Sequence, residues 1–192
     1  MKRTEKKNGW LKLLIFVVFV AFLISGGRYV YDKWLVAEYP IRYDQYVERY
    51  SKEFGLDSVL VYAVIKTESS YDPTVVSNVG ARGLMQIMEE TFDWIKYRLD
   101  DEDTVYRDMF EPEHNIRYGC YLLGSLYGEF GDVDTAVAAY HAGRGAVNKW
   151  LDDPNYSSDG VHLDVIPIPA TAHYVDKINR AMSIYEKLYE FN

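Results

Sequence analysis

The stretch VLVYAVIKTES, residues 59–69, decides the fold. Asp57 or Ser58 can cap a helix ahead of it, and Asp72-Pro73 must follow as loop, because a residue before proline is pushed out of the helical region. Within the run, Leu60, Val64 and Glu68 stand at i, i+4 and i+8 and share one face, with Ile65 beside them. A carboxylate ends an otherwise apolar face at the helix C-terminus, where the macrodipole disfavours negative charge. Partial burial and the dipole both raise a carboxyl pKa, which suits a general acid working near neutral pH. A solvent-facing Glu in the last turn satisfies the same pattern, so the helix alone leaves the role of Glu68 open.

Working outward, helices follow one another along the chain. Tyr46, Val47, Tyr50 and Phe54 recur at helical spacing over 43–54, and Gly55 ends that helix. Residues 71–82 are rich in turn formers. A short helical turn is expected over 83–88 and a helix over 90–99. After the acidic loop 100–103, a long helix should run from Pro112 to Phe130 and stop at Gly131. Asp132 or Asp134 caps the next, through Ala142, and 146–151 forms another. A loop over 152–169 then leads to an amphipathic helix from about Ala170 to Tyr189. No internal repeat and no extended alternating pattern appears, so the fold class is mainly α.

The amino-terminal segment is different in kind. Residues 10–27 read WLKLLIFVVFVAFLISGG, with no charged or strongly polar side chain from Leu13 to Ile24. That apolar run is shorter than the roughly 20 residues of a comfortable span. It lengthens if Trp10 lies at one interface and Lys12 reaches back to the headgroups. The basic flank precedes it, so the positive-inside rule places residues 1–9 in the cytoplasm, 10–27 in the cell membrane and the rest outside. Ser25-x-Gly27 also fits a cleavage site, and a secreted form is the alternative. Residues 28–42 form a tether to a domain over 43–192.

Of 21 basic and 29 acidic residues, five basic and one acidic fall in residues 1–27, which leaves a net charge of −12 for the remainder. Such an acidic domain is a poor partner for nucleic acid, whose binding needs basic patches. A single cysteine, Cys120, excludes an intramolecular disulfide. The four histidines, His114, His141, His162 and His173, lack metal-ligand spacing, and no cofactor is implied. The 18 Tyr offer flat apolar rings with polar tips, suited to sugars as well as to core packing.

Three further pieces carry chemistry. GARGLMQI, residues 80–87, offers glycines for unusual backbone and Gln86 as donor and acceptor. AAYHAG, residues 138–143, ends a helix of small residues with Tyr140. IPATAHYVDKI, residues 168–178, opens the last helix and carries Tyr174 on an inward stripe. Each alone reads equally well as turn or core.

Together and in order, Glu68-Ser69, Gly83 to Ile87, Ala139 to Gly143 and Pro169 to Val175 resemble the family 1 lytic transglycosylases, whose catalytic domain is lysozyme-like. The resemblance covers about residues 43–190. It implies cleavage of peptidoglycan glycan strands, with Glu68 as the catalytic acid. It also implies substrate contacts at Ser69, Met85, Gln86, Tyr140, His141 and Tyr174. The chain departs from the family pattern at His141, where Asn is usual, and at Ala170, where Glu is usual. His141 can keep a hydrogen-bonding role or titrate near neutral pH. The motifs supply one carboxylate where glycosidases normally use two. The family's chemistry, closure of a 1,6-anhydro ring on the muramyl sugar, needs only one. A goose-lysozyme-type hydrolase and a non-catalytic wall-binding module remain open on the same residues.

Overall fold

The structure, a computed structural model, describes residues 5–191. Residues 1–4 of the expected basic tail lie outside them. The chain divides at Pro40 into two units.

The first unit is a single helix, α1 (Glu5–Glu38). It carries the apolar run of residues 13–24, whose large side chains are almost all exposed. At about 1.5 Å per residue it is on the order of 50 Å long, against a hydrocarbon core of about 30 Å. Residues 28–38 of the expected tether continue this helix. Arg28 and Asp32 pair across one turn at 3.9 Å, and Tyr31 lies against Trp34 at 5.9 Å between ring centroids.

The second unit begins at Ile41 and contains α2 (Asp44–Glu53), α3 (Ser58–Ser69), α4 (Glu89–Arg98), a 3₁₀ turn (Tyr106–Phe110), α5 (Pro112–Phe130), α6 (Val133–Ala142), α7 (Arg144–Leu151) and α8 (Pro169–Leu188). The start signals act as their chemistry requires. Asp57 accepts from the Val59 N–H at 2.8 Å and Asp132 from the Thr135 N–H at 2.8 Å, each satisfying a donor that the first turn leaves free. Pro112 and Pro169 sit in the first turns of their helices, and Gly131 closes α5 at φ 68°.

α3 is the centre of the unit. Val59 through Ile65 are all buried, so the helix is covered all round and not along one face. It packs against α8 and α2; α5 lies against α6 and α2, and α6 against α8 and α7. Only the last turn of α3 emerges from this core, and Glu68 stands in it.

Residues 83–88 do not form the expected helical turn. The chain doubles back: Arg82 and Ile87 exchange backbone hydrogen bonds at 3.0 and 3.1 Å, and the Gly83 N–H reaches the Val75 carbonyl at 3.0 Å. The reason is local. Gly83 at φ 76° and Gln86 at φ 50° reverse the chain twice, which no helix allows. The core also meets this loop too closely for a larger residue. A Cβ on Gly83 would lie 2.0 Å from the Met109 carbonyl oxygen and 2.4 Å from Asn115 Nδ2. Gly83→Ala is therefore expected to destabilise the fold by about 3 kcal/mol or more, from backbone strain plus a clash with backbone that cannot swing away. The urea midpoint checks this, and an unchanged midpoint would contradict it.

Candidate active site

Four elements converge where α3 ends. Glu68 comes from its last turn, Gln86 from the doubled-back loop, Tyr140 and His141 from the last turn of α6, and Tyr174 from the early part of α8. Glu68, Gln86, Tyr140 and His141 line one cleft of about 300 Å³, with Ser77 and Ile87. A second hollow of about 320 Å³ shares Thr91, Leu122 and Tyr140 with it and continues past Trp94, Ser125 and Arg144. The two adjoin along Thr91, Leu122 and Tyr140; Glu68 lines the first and Glu90 the second.

The Tyr174 hydroxyl donates to Glu68 Oε1 at 2.6 Å. Among the described residues Oε2 has no hydrogen-bond partner, and it is the oxygen left for whatever enters the cleft. Burial pushes the Glu68 carboxyl up to about 7, partly offset by the Tyr174 hydrogen bond, which favours the anion. Burial, with Glu68 close by, keeps the Tyr174 and Tyr140 hydroxyls protonated far above the usual range. Both therefore act as neutral donors. Tyr140 spends its proton on the Met85 carbonyl at 2.7 Å, which ties α6 to the loop.

Tyr174→Phe removes the one contact that favours the Glu68 anion. The Glu68 pKa should then rise above its present value of about 7, read by carbon-13 NMR titration of the carboxyl. A fall would contradict the assignment.

Gln86 uses its amide N–H groups on the protein itself. Nε2 donates to the carbonyls of Gly83 at 2.9 Å and Val75 at 3.2 Å, so its carbonyl oxygen is the group free to accept from a ligand. His141 directs Nδ1 at Thr171 Oγ1, 3.1 Å away, and its ring lies against that of Tyr174 at 4.6 Å between centroids.

Two residues expected at the substrate lie beneath the cleft. One helical step of about 100° turns Ser69 away from the direction of Glu68. Its hydroxyl reaches the Leu84 carbonyl at 2.9 Å and the Ile65 carbonyl at 3.1 Å. Met85 is fully buried, and its sulfur and Cβ occupy the space that a side chain on Gly119 would fill. Met85 thus supports the cleft through its backbone and does not line it.

Sequence patterning missed Asn115 and Thr171. Asn115 is fully buried in α5: its Oδ1 accepts from the Met85 N–H at 2.7 Å, and its Nδ2 donates to the carbonyls of Arg82 at 2.9 Å and Met109 at 2.8 Å. An Asn just before the apolar Ile116, on the core side of a helix, was the available signal. Thr171 is also buried and seats His141; its only signal was its place beside Tyr174 in the last motif.

Residues 45–160 match the family described as Transglycosylase SLT domain. The chain belongs to that family. Among SLT-domain relatives, the soluble lytic murein transglycosylase of Salmonella typhimurium is 34% identical over 149 residues, covering 75% of this chain and 23% of that protein. The membrane-bound lytic murein transglycosylase C of Haemophilus ducreyi is 28% identical over 196 residues, covering 84% of this chain and 52% of that one. The solved 70-kDa soluble lytic transglycosylase of Escherichia coli superposes with a TM-score of 0.71 at 27% identity, over 80% of this chain and 25% of that one. The chain thus spans about a quarter of the length of its soluble SLT relatives. The mainly α, lysozyme-like transglycosylase fold is the one observed.

Proposed function

We propose that the protein is a membrane-anchored peptidoglycan lytic transglycosylase. Its substrate is the β1,4 bond between N-acetylmuramic acid and N-acetylglucosamine, and its product ends in 1,6-anhydro-N-acetylmuramic acid. One observation carries this most directly. Among the described residues lining the cleft that holds it, Glu68 is the one carboxylate, and burial holds its pKa at about 7.

A carboxyl that is half protonated near neutral pH can donate and then recover a proton. The Glu68 proton, on Oε2, passes to the bridging oxygen as the C1–O bond breaks, and N-acetylglucosamine leaves with a free 4-hydroxyl. The muramyl N-acetyl oxygen shields the positive charge developing at C1. The C6 hydroxyl of the same sugar then attacks C1, its proton goes to the Glu68 carboxylate, and the anhydro ring closes. No water is consumed and no second carboxylate is required, unlike the pair that ordinary glycosidases use. Tyr174 holds Oε1 so that Oε2 faces the bond, and the free carbonyl of Gln86 accepts from an N–H or O–H of the sugar.

The relatives' names support this reading, as does a solved lytic transglycosylase from Pseudomonas aeruginosa described as an inactive mutant with Gln in place of Glu. α1 serves as the anchor: residues 1–9 in the cytoplasm, the span over 10–27, a helical extension through Glu38 and the catalytic domain over 43–192 outside the membrane.

Digestion of purified peptidoglycan followed by mass spectrometry tests the assignment. The expected muropeptides are lighter by one water than hydrolysis products. Products of full hydrolytic mass would make the protein a lysozyme-type hydrolase, and no release at all would make it a binding module.

A further inference from the structure

We propose that His141 is a substrate-facing residue that must be neutral for the reaction to proceed, with Thr171 fixing which ring nitrogen meets the sugar. This rests on the glycan cleavage proposed above and adds a second proton-dependent group to it.

The geometry begins at α8. Thr171 is buried in its first turn, with Oγ1 3.1 Å from His141 Nδ1, while the Tyr174 ring lies against the imidazole at 4.6 Å and a 33° tilt. The imidazole is thus held at one edge and one face, and among the described residues Nε2 has no hydrogen-bond partner, on a side chain that lines the cleft. A neutral imidazole with Nδ1 committed offers one hydrogen bond at Nε2, as donor or acceptor according to how the Thr171 hydroxyl is turned. The hydroxyl and acetamido groups of an amino sugar can meet either.

Protonation changes the site in two ways that oppose catalysis. The same Tyr174 that carries the imidazole on its ring face donates to Glu68, so an imidazolium stands one aromatic ring away from the carboxyl. A cation there stabilises the Glu68 anion left once its proton has gone to the leaving oxygen, which makes that carboxylate a weaker base toward the C6 hydroxyl. It also repels the positive charge that develops at C1.

The surroundings set the pH at which this happens. Glu68 of α3 lines the same cleft, and Thr171 and Tyr174 of α8 touch the ring. Tyr140 precedes it on α6, and Ser77, Val79 and Ala81 of the facing loop carry no charge. Arg144 follows three residues on in α7, paired to Glu129 of α5 at 3.3 Å. Partial desolvation of the His141 ring, in a residue that is exposed overall, lowers its pKa below the ordinary 6.5. The carboxylate that would favour the imidazolium is itself protonated in that range.

The test is the pH profile of cleavage by the full-length protein in detergent, from about pH 4.5 to 8.5, on one preparation of soluble glycan chains. The wild type should lose activity on both sides, with the acid limb below pH 6.5 and the alkaline limb near 7. In His141→Asn, which carries the amide usual at this place in the family, the acid limb should disappear. The ratio of kcat at pH 5 to kcat at pH 6.5 should then be higher than in wild type. The alkaline limb should stay in place. Thr171→Val should keep the acid limb and raise KM several-fold. An acid limb unmoved in His141→Asn, or absent from the wild type, overturns the role of His141. An unchanged KM in Thr171→Val overturns that of Thr171. No cleavage at any pH overturns the proposal together with the function on which it rests.

Discussion

Glu68→Gln should lower glycan cleavage by about 10³-fold or more while leaving the domain folded and, at neutral pH and above, more stable. The activity loss follows from removing the group that the proposed mechanism uses to give a proton to the leaving oxygen and take one back; positioned acid–base catalysis is worth roughly 10²–10⁴-fold per role. The stability gain follows from linkage. Glu68 ionises at about 7 in the folded protein, against 4.5 when exposed. A group whose folded pKa is raised contributes stability that is fully present below the unfolded pKa and lost as pH rises through the folded one. The wild type should therefore lose stability between pH 4.5 and about 7 as the buried carboxyl is forced to ionise. At about 1.36 kcal/mol per tenfold shift, and allowing for the cleft's contact with water, the penalty is on the order of 2 kcal/mol. Glutamine never ionises and escapes it. Urea denaturation at pH 4 and pH 8 reads the difference: near-equal midpoints at pH 4 and a higher midpoint for Glu68→Gln at pH 8. A variant less stable at pH 8 would mean that the carboxylate is held by partners and not strained by burial.

Asn115→Ala should be among the most destabilising single substitutions in the domain, by about 3–5 kcal/mol. Two buried backbone groups, the Met85 N–H and the Met109 carbonyl, bond its amide, which also donates to the Arg82 carbonyl. Truncation removes the amide from all three; the Arg82 carbonyl keeps the Ile87 N–H at 3.1 Å, and the Met85 N–H and the Met109 carbonyl lose their partner in a space too enclosed for easy hydration. Asn148→Ala is the control. That amide is exposed and makes one long contact, 3.5 Å to Glu129, and its loss should stay within about 0.5 kcal/mol. The same substitution at Asn115 should also loosen the cleft, because Met85 is the residue whose carbonyl receives Tyr140. A shift at Asn115 no larger than at Asn148 would mean that other contacts hold the loop.

Much of the helical framework was legible from pattern, because caps and stops act locally: Asp57, Asp132, Pro112 and Gly131 each did in the structure what their chemistry allows anywhere. The helical periodicity of 59–69 was read as a one-sided face, whereas α3 is enclosed on all sides. A fully buried helix and an amphipathic one differ in their neighbours, which no single segment reveals. The doubled-back loop was read as a helical turn because its residues suit one; Gly83, Met109 and Asn115, far apart in sequence, decide otherwise.

The site was legible where a side chain reaches the cleft from the end of a helix, as Glu68, Tyr140 and His141 do. It was not legible where a motif residue works through its backbone. Met85 and Ser69 sit within motifs that resemble substrate-binding segments, yet their contacts hold the loop to the core. Motif membership carries no information about which way a side chain turns.

The most direct test of a single carboxyl closing a ring on its own substrate is digestion of purified peptidoglycan by the full-length protein in water enriched in oxygen-18. Intramolecular attack by the C6 hydroxyl incorporates no solvent oxygen, so the account predicts anhydro-ended products with no oxygen-18 at the new terminus, formed by the wild type and not by Glu68→Gln. Reducing-end products carrying one oxygen-18 per cleaved bond would contradict it.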